Sequence, residues 1–256
     1  MLTRAIVRPP GTNFGDGLST VDLGPPDYEH ALAQHAAYCA ALQRCGLTII
    51  GLEADPAYPD SCFVEDTAIL ASGSAILTRP GEPSRRGEVD SVRKVLTDYF
   101  SSLSEIRSPG ILDGGDVCEA GNHYFIGISD RTNEAGAQQL ARLIGLRGST
   151  SSFIDIRPVD DLLHLKSAIA YLGDNRLATT NALADRKELA GYNLTRMDSN
   201  EEYAANCVRI NGHVLVANGY PKFERRLRDL GYQTISLDMS EFQKMDGGLS
   251  CLSLRF

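Results

Sequence analysis

Residues able to do chemistry recur at several places along the chain. In Pro59-Asp60-Ser61-Cys62-Phe63-Val64-Glu65-Asp66, three carboxylates flank an apolar Cys-Phe-Val centre. In an extended segment Asp60, Cys62, Val64 and Asp66 project to one side, so Asp60 and Asp66 converge. Two carboxylates aimed at one point suit a planar guanidinium, whose donors form a fixed fork. A solvated loop with turn-forming aspartates would fit the same residues. Leu112-Asp113-Gly114-Gly115-Asp116-Val117 sets acids on a tight glycine bend at a strand mouth. From there Asp113 could orient a histidine, although a plain Asp-Gly turn reads the same way.

His164, in Leu162-Leu163-His164-Leu165-Lys166-Ser167, sits among apolar neighbours that imply partial burial. It is either a satisfied core histidine or the proton partner that a cysteine nucleophile needs. Cys251, in Asp246-Gly247-Gly248-Leu249-Ser250-Cys251-Leu252, follows a Gly-Gly bend. As part of a strand its side chain would be lifted into a cleft, with Ser250 and Leu252 on the other face; a buried structural thiol is the alternative. Arg85 and Arg131 stand just before expected helices, placed either to grip a carboxylate or to solubilise the surface.

These residues need a frame. The spacing of Ala31, Leu32, His35, Ala36, Cys39 and Leu42 predicts a helix from an Asp27 cap to a Gly46 stop. A strand over Leu47–Leu52 follows. Thr67–Ala71 and Ser74–Thr78 form a hairpin across Ser72-Gly73. Further helices are expected over Glu88–Phe100, Asn133–Ile144, Asp185–Ala190 and Pro221–Leu230, the last ended by Gly231. Helices flanked by strands thus recur about every 50 residues, in the range of propeller and solenoid repeats. Asp-Gly recurs near strand starts at Asp16-Gly17, Asp113-Gly114 and Asp246-Gly247. That echo supports repetition, but Asp-Gly is also a common turn dipeptide.

Composition narrows the classes. The chain has 256 residues, 43% apolar and 23% charged, and carries a net charge of −8. An acidic chain without clustered Lys and Arg argues against nucleic acid. No apolar run approaches the roughly 18 residues of a membrane span, and the N-terminus does not read as a signal peptide, so a cytoplasmic location is expected. The six cysteines are irregularly spaced without CxxC, which argues against zinc and a disulfide framework. No linker divides the chain, so residues 1–256 read as one catalytic domain. A homodimer is the expectation for an enzyme of this size.

The ordered series PDSCFVED, TRPGEPSRR, LDGGDV, GISDRTN, HLKS and DGGLSC resembles the dimethylarginine dimethylaminohydrolases of the guanidine-modifying superfamily over essentially the whole chain. The resemblance implies an α/β fold, a five-fold pseudosymmetric α/β propeller (pentein) of ββαβ units. It implies Cys251 as nucleophile, His164 as general acid and base, and Asp113 as the residue orienting His164. Asp60 and Asp66 would bind the guanidinium and Glu65 would shape its pocket. Arg85 and Arg131 would hold the amino acid carboxylate, Leu18 would lie on a lid loop, and the backbone near Met245 would meet the amino acid end. Neither metal nor organic cofactor is implied, and the implied partner is a methylated arginine. A hydrolase of an unmethylated guanidine, of the arginine deiminase or dihydrolase type, keeps the same residues. A non-catalytic guanidine or amino acid binder would not need the Cys251, His164 and Asp113 trio.

Overall fold

The computed structural model describes residues 1–71 and 73–256. Fifteen short strands form five three-stranded sheets, all built alike. The first holds β1 (Arg4–Val7), which pairs parallel with β2 (Thr48–Gly51) after the crossover helix α1 (Tyr28–Arg44). In the second, β3 (Ala68–Ala71) pairs antiparallel with β4 (Ser74–Leu77), and α2 (Glu88–Leu96) leads to the parallel β5 (Leu103–Glu105). The third repeats this order with β6 (Val117–Ala120), β7 (His123–Ile128), α3 (Glu134–Gly145) and β8 (Thr150–Asp155).

The fourth sheet comprises β9 (Ile169–Gly173), β10 (Arg176–Thr179) and β11 (Asn193–Arg196). The fifth comprises β12 (Val208–Ile210), β13 (His213–Ala217), α4 (Pro221–Asp229) and β14 (Gln233–Leu237). A short α5 (Ser240–Gln243) precedes the C-terminal β15 (Leu254–Arg255), which pairs antiparallel with β1. The chain's last strand thereby completes its first sheet and closes the ring of five blades, four of them ββαβ units and the fourth in sequence order carrying a 3-10 turn in place of the helix.

Local chemistry explains most of these elements. Asp27 caps α1 by accepting from the His30 N–H at 2.8 Å, and Gly46 leaves the helix at φ +90°. Asn133 caps α3 in the same way through Gly136 N–H, and Pro221 occupies the first turn of α4. Each helix presses a narrow apolar stripe on its sheet: Val89, Val92 and Leu96; Ala137, Leu140 and Ile144; Phe223 and Leu227. Truncating one such leucine to alanine costs about 2–5 kcal/mol through lost burial and the remaining cavity. The core is therefore distributed, with a separate apolar layer around each blade.

Two expectations need correction. The Asp185–Ala190 segment forms a single 3-10 turn, Lys187–Leu189, not a helix; Leu189 is its one buried residue, too little apolar face to dock a longer one. The helix after Arg85 stops at Leu96, with turns through Phe100. The hairpin joins β3 to β4 as expected, though Ser72 lies outside the described residues. Among the described residues no helix is long and apolar enough to cross a membrane.

Candidate active site

The loops after β1, β2, β4, β7 and β8 and the segment before β15 meet at one cleft, and there the sequence candidates gather. A cleft is lined by Leu18, Asp60, Asp66, Arg85, Arg131, His164, Met245 and Cys251, with Phe63, Leu163, Asp246 and Gly247 between them. Its empty volume, mouth included, is ≈ 390 Å³. The cleft holds eight of the ten predicted site residues; of the other two, Asp113 stands behind it bonded to His164, and Glu65 lines a second cavity on the far side.

Asp60 and Asp66 do converge, but not by strand alternation. Their segment folds as two successive 3-10 turns, Pro59–Cys62 and Val64–Thr67, and the turns bring both carboxylates inward. Asp66 is held on both oxygens: Gly115 N–H donates to Oδ1 at 2.8 Å and Arg85 Nη1 donates to Oδ2 at 2.7 Å. Burial opposes its charge, yet His164, Arg85 and the Gly115 N–H together hold its pKa below the usual carboxylate range. Asp60 accepts from the Leu18 N–H at 3.1 Å, which ties the first loop to the cleft. Burial raises its pKa against the pull of Arg85.

His164 begins a turn, with the 3-10 segment Leu165–Ser167 immediately after it. Its Nε2 meets Asp113 Oδ2 at 3.1 Å, and both side chains are buried. Asp113 is itself fixed, since Gly81 N–H donates to its other oxygen at 2.9 Å. Burial alone would depress the His164 pKa, but Asp66, the Asp113 bond and Asp116 outweigh it and raise it to about 9. The imidazole is therefore protonated at neutral pH. With Nε2 committed to Asp113, Nδ1 is the nitrogen left to exchange protons with the cleft.

Cys251 lies in a turn ahead of β15, where its N–H donates to Gly248 O, and not within a strand. The Gly-Gly bend lifts it all the same: a Cβ at Gly247 would sit 2.4 Å from the Phe63 ring, so this backbone passes too close for any side chain. Burial pushes the thiol up to about 12, with Glu65 and Asp66 adding to the rise.

Arg85 is not a surface arginine. Its Nε and Nη2 donate to Glu88 at 3.0 and 2.9 Å, and Nη2 also reaches Asp60 O and Phe63 O. Of the guanidinium's five N–H groups this leaves one on Nη1 free for the cleft. Arg131 is less confined, 3.6 Å from Glu82. Glu65 departs most from expectation: its side chain turns away from the cleft toward Lys166 and Ser250. Asp116, present in the LDGGDV motif but given no role, accepts from Leu165 N–H at 3.0 Å and so fixes the backbone beside His164. Asp66, Asp113 and His164 also bring ligand atoms within 4.8 Å of one another. Asp66 accepts hydrogen bonds from Arg85 and Gly115, and Asp113 from Gly81 while it pairs with His164.

A closed ring of five three-stranded blades with a cysteine, a carboxylate-paired histidine and two inward aspartates at one end defines a guanidine-modifying type of α/β propeller. The family model for N,N dimethylarginine dimethylhydrolase, eukaryotic, matches residues 27–195. An N(G),N(G)-dimethylarginine dimethylaminohydrolase of Pseudomonas aeruginosa is 40% identical over 257 residues, covering 100% of both chains. The Streptomyces coelicolor protein of the same name is 37% identical, covering 98% of this chain and 96% of its own. The chain belongs to the dimethylarginine dimethylaminohydrolase family.

Solved structures agree. The Pseudomonas aeruginosa enzyme, as a cysteine-to-serine variant complexed with citrulline, superposes with a TM-score of 0.97 at 39% identity over 100% of both chains. The N-terminal domain of ArgZ, a cyanobacterial arginine dihydrolase, superposes at 0.89 over 100% of this chain and 98% of its own. At 16% identity that likeness concerns the fold alone.

Proposed function

We propose that this chain, acting as one catalytic unit over residues 1–256, hydrolyses asymmetric dimethylarginine and monomethylarginine to citrulline and the alkylamine. The observation that carries the reading is the meeting of Cys251, the Asp113-paired His164 and the carboxylates of Asp60 and Asp66 in one cleft. Asp60 and Asp66 receive the guanidinium and hold its central carbon before the sulfur, converting an encounter into an intramolecular step. The free Nη1 proton of Arg85, together with Arg131, receives the amino acid carboxylate, the Met245 backbone meets the same amino acid end, and Leu18 covers the substrate from its loop.

The thiolate of Cys251 attacks the central carbon, forming a C–S bond. His164, protonated at neutral pH, gives its proton to the departing nitrogen as the C–N bond breaks, and a thiouronium remains on sulfur. A water then loses a proton to His164 and attacks the same carbon. The C–S bond breaks, and the ureido product leaves. Because burial keeps the free thiol protonated, the positive charge of the bound substrate favours release of the thiol proton to solvent, which leaves the attacking thiolate.

Incubation of the protein with asymmetric dimethylarginine, monomethylarginine and arginine separately, with citrulline quantified and Cys251→Ala as control, tests the reading. Preferential turnover of the methylated substrates, absent in the control, is expected. Turnover of arginine alone would reassign the substrate, and no turnover of any would overturn the catalytic reading.

A further inference from the structure

Behind the cleft lies a second and larger cavity, with an empty volume of ≈ 1210 Å³, mouth included. Three chain segments stand between the two. Each turns one residue to the cleft and a near neighbour to the rear cavity: Asp66 and Glu65, His164 and Lys166, Cys251 and Ser250. Glu65 joins the rear row. Its Oε1 meets Lys166 Nζ at 2.6 Å and Arg255 Nη2 at 3.3 Å, and its Oε2 accepts from Ser250 Oγ at 2.7 Å. The Glu65 N–H also donates to Cys251 O.

This arrangement poses an electrostatic problem. Glu65 is a buried carboxylate hydrogen-bonded to the residue next to Cys251, on a turn where Asp66 supplies a second negative charge. Both oppose a thiolate. On the cleft side, Arg85 is already matched by Asp66 and Glu88, and His164 by Asp113. Tyr203 flanks the bend, donating to Gly247 O. At the rear, Arg255 spends Nη1 on Ser250 O and Ser253 and reaches Glu65 only at the longer distance. Lys166 makes the short contact.

We propose that Lys166 is a positioning residue that acts through Glu65: from the rear cavity its ammonium neutralises Glu65 and so keeps the Cys251 thiolate attainable. It touches neither substrate nor sulfur. The burial of the pair, with the lysine side chain 16% exposed and the glutamate 4%, keeps solvent from screening the effect. The direction of each influence agrees: Glu65 raises the thiol pKa, and Lys166 lowers it. The inference rests on Cys251 being the nucleophile.

The readout is the pH dependence of Cys251 alkylation by iodoacetamide in the free enzyme, with the adduct located by peptide mass and folding checked by circular dichroism. Lys166→Met should raise the midpoint by about one pH unit or more, making alkylation roughly tenfold slower at a fixed pH below it. Lys166→Arg should leave it near the parent value. Glu65→Gln in the Lys166→Met background should bring it back, which a merely structural loss would not do. Should Lys166→Met fail to fold, Glu65→Gln alone still decides, because removing the carboxylate while keeping the ammonium should lower the midpoint. An unmoved midpoint in folded Lys166→Met, no return in the double variant, or no fall in Glu65→Gln overturns the proposal. Failure of the nucleophile assignment would appear separately, as citrulline formation persisting in Cys251→Ala.

Discussion

Asp113 Oδ2 stands 3.1 Å from His164 Nε2, with the carboxylate wholly buried and its other oxygen held by the Gly81 N–H. The histidine therefore has one orientation and a raised pKa. Asp113→Asn keeps the shape and removes the charge. The expected result is an alkaline limb of kcat shifted toward lower pH and a fall in kcat of roughly a hundredfold, the usual scale for a disabled acid–base group. A pH–rate profile identical to the parent's would remove Asp113 from the mechanism.

The same histidine makes a stability prediction. Its folded pKa, about 9, lies above the ordinary imidazole value of 6.5. A group raised in this way contributes stability that is fully present below about pH 6.5 and lost as pH rises through 9. Urea unfolding of the parent and of His164→Gln across that window should converge toward the alkaline end. Parallel curves would mean the histidine is not protonated in the folded state. If His164 serves both proton transfers as proposed, the variant should also lose turnover.

Gly115 lies where the two halves of the site touch. A Cβ there would come within 2.8 Å of the His164 ring and 3.0 Å of Asp66 Oδ1. Gly115→Ala must displace one of them, and a misplacement approaching 1 Å costs on the order of a hundredfold in rate. The fall should appear in kcat with only a small change in melting temperature. Unchanged kcat would mean that the site tolerates a shifted imidazole.

How much of this was legible in the sequence varies with the range of the interaction concerned. Helix α1 was plain because its cap at Asp27 and stop at Gly46 are local signals. The convergence of Asp60 and Asp66 was anticipated for a reason the structure replaces: two 3-10 turns, not an extended strand, turn them inward. Cys251 likewise reaches the cleft from a turn rather than a strand. The fourth helix was over-read, since one buried leucine in a 3-10 turn cannot be told from helical spacing over so short a window. Glu65, Lys166 and Asp116 carry contacts that nothing local announces. Asp116 meets Leu165 N–H across 49 positions, and Glu65 meets Ser250 across 185. Such pairs exist because the ring closes, and no periodicity in one segment encodes them.

The two arginines separate folding from binding. Arg85→Ala leaves Asp66 and Glu88 buried without their cation, a loss of about 3–5 kcal/mol in denaturant unfolding. Arg131 pairs only loosely with the half-exposed Glu82, so its removal should change stability by about 1 kcal/mol or less. If it holds the substrate carboxylate, Arg131→Ala should raise KM roughly tenfold or more while sparing kcat. A large fall in kcat at saturating substrate would instead place Arg131 among the groups that align the reacting carbon.

The first loop is fastened over the cleft at Asp246, whose Oδ2 accepts from Thr20 N–H at 2.6 Å and Thr20 Oγ1 at 3.0 Å; Ser19 Oγ adds a bond to Lys244 O. Asp246 holds a left-handed backbone at φ +57°, a conformation Asn adopts as readily as Asp. Asp246→Asn therefore weakens the fastening without straining the bend. Leu18, two residues before Thr20, both lines the cleft and bonds Asp60, so a loosened loop should bind substrate less well. The expected outcome is a several-fold rise in KM, faster proteolytic cutting between Gly17 and Pro26, and kcat close to the parent's, since charge-assisted bonds of this kind contribute about 1.5–3 kcal/mol. Unchanged KM together with unchanged proteolysis would show that the loop is held by its other contacts, and that Asp246 serves the bend alone.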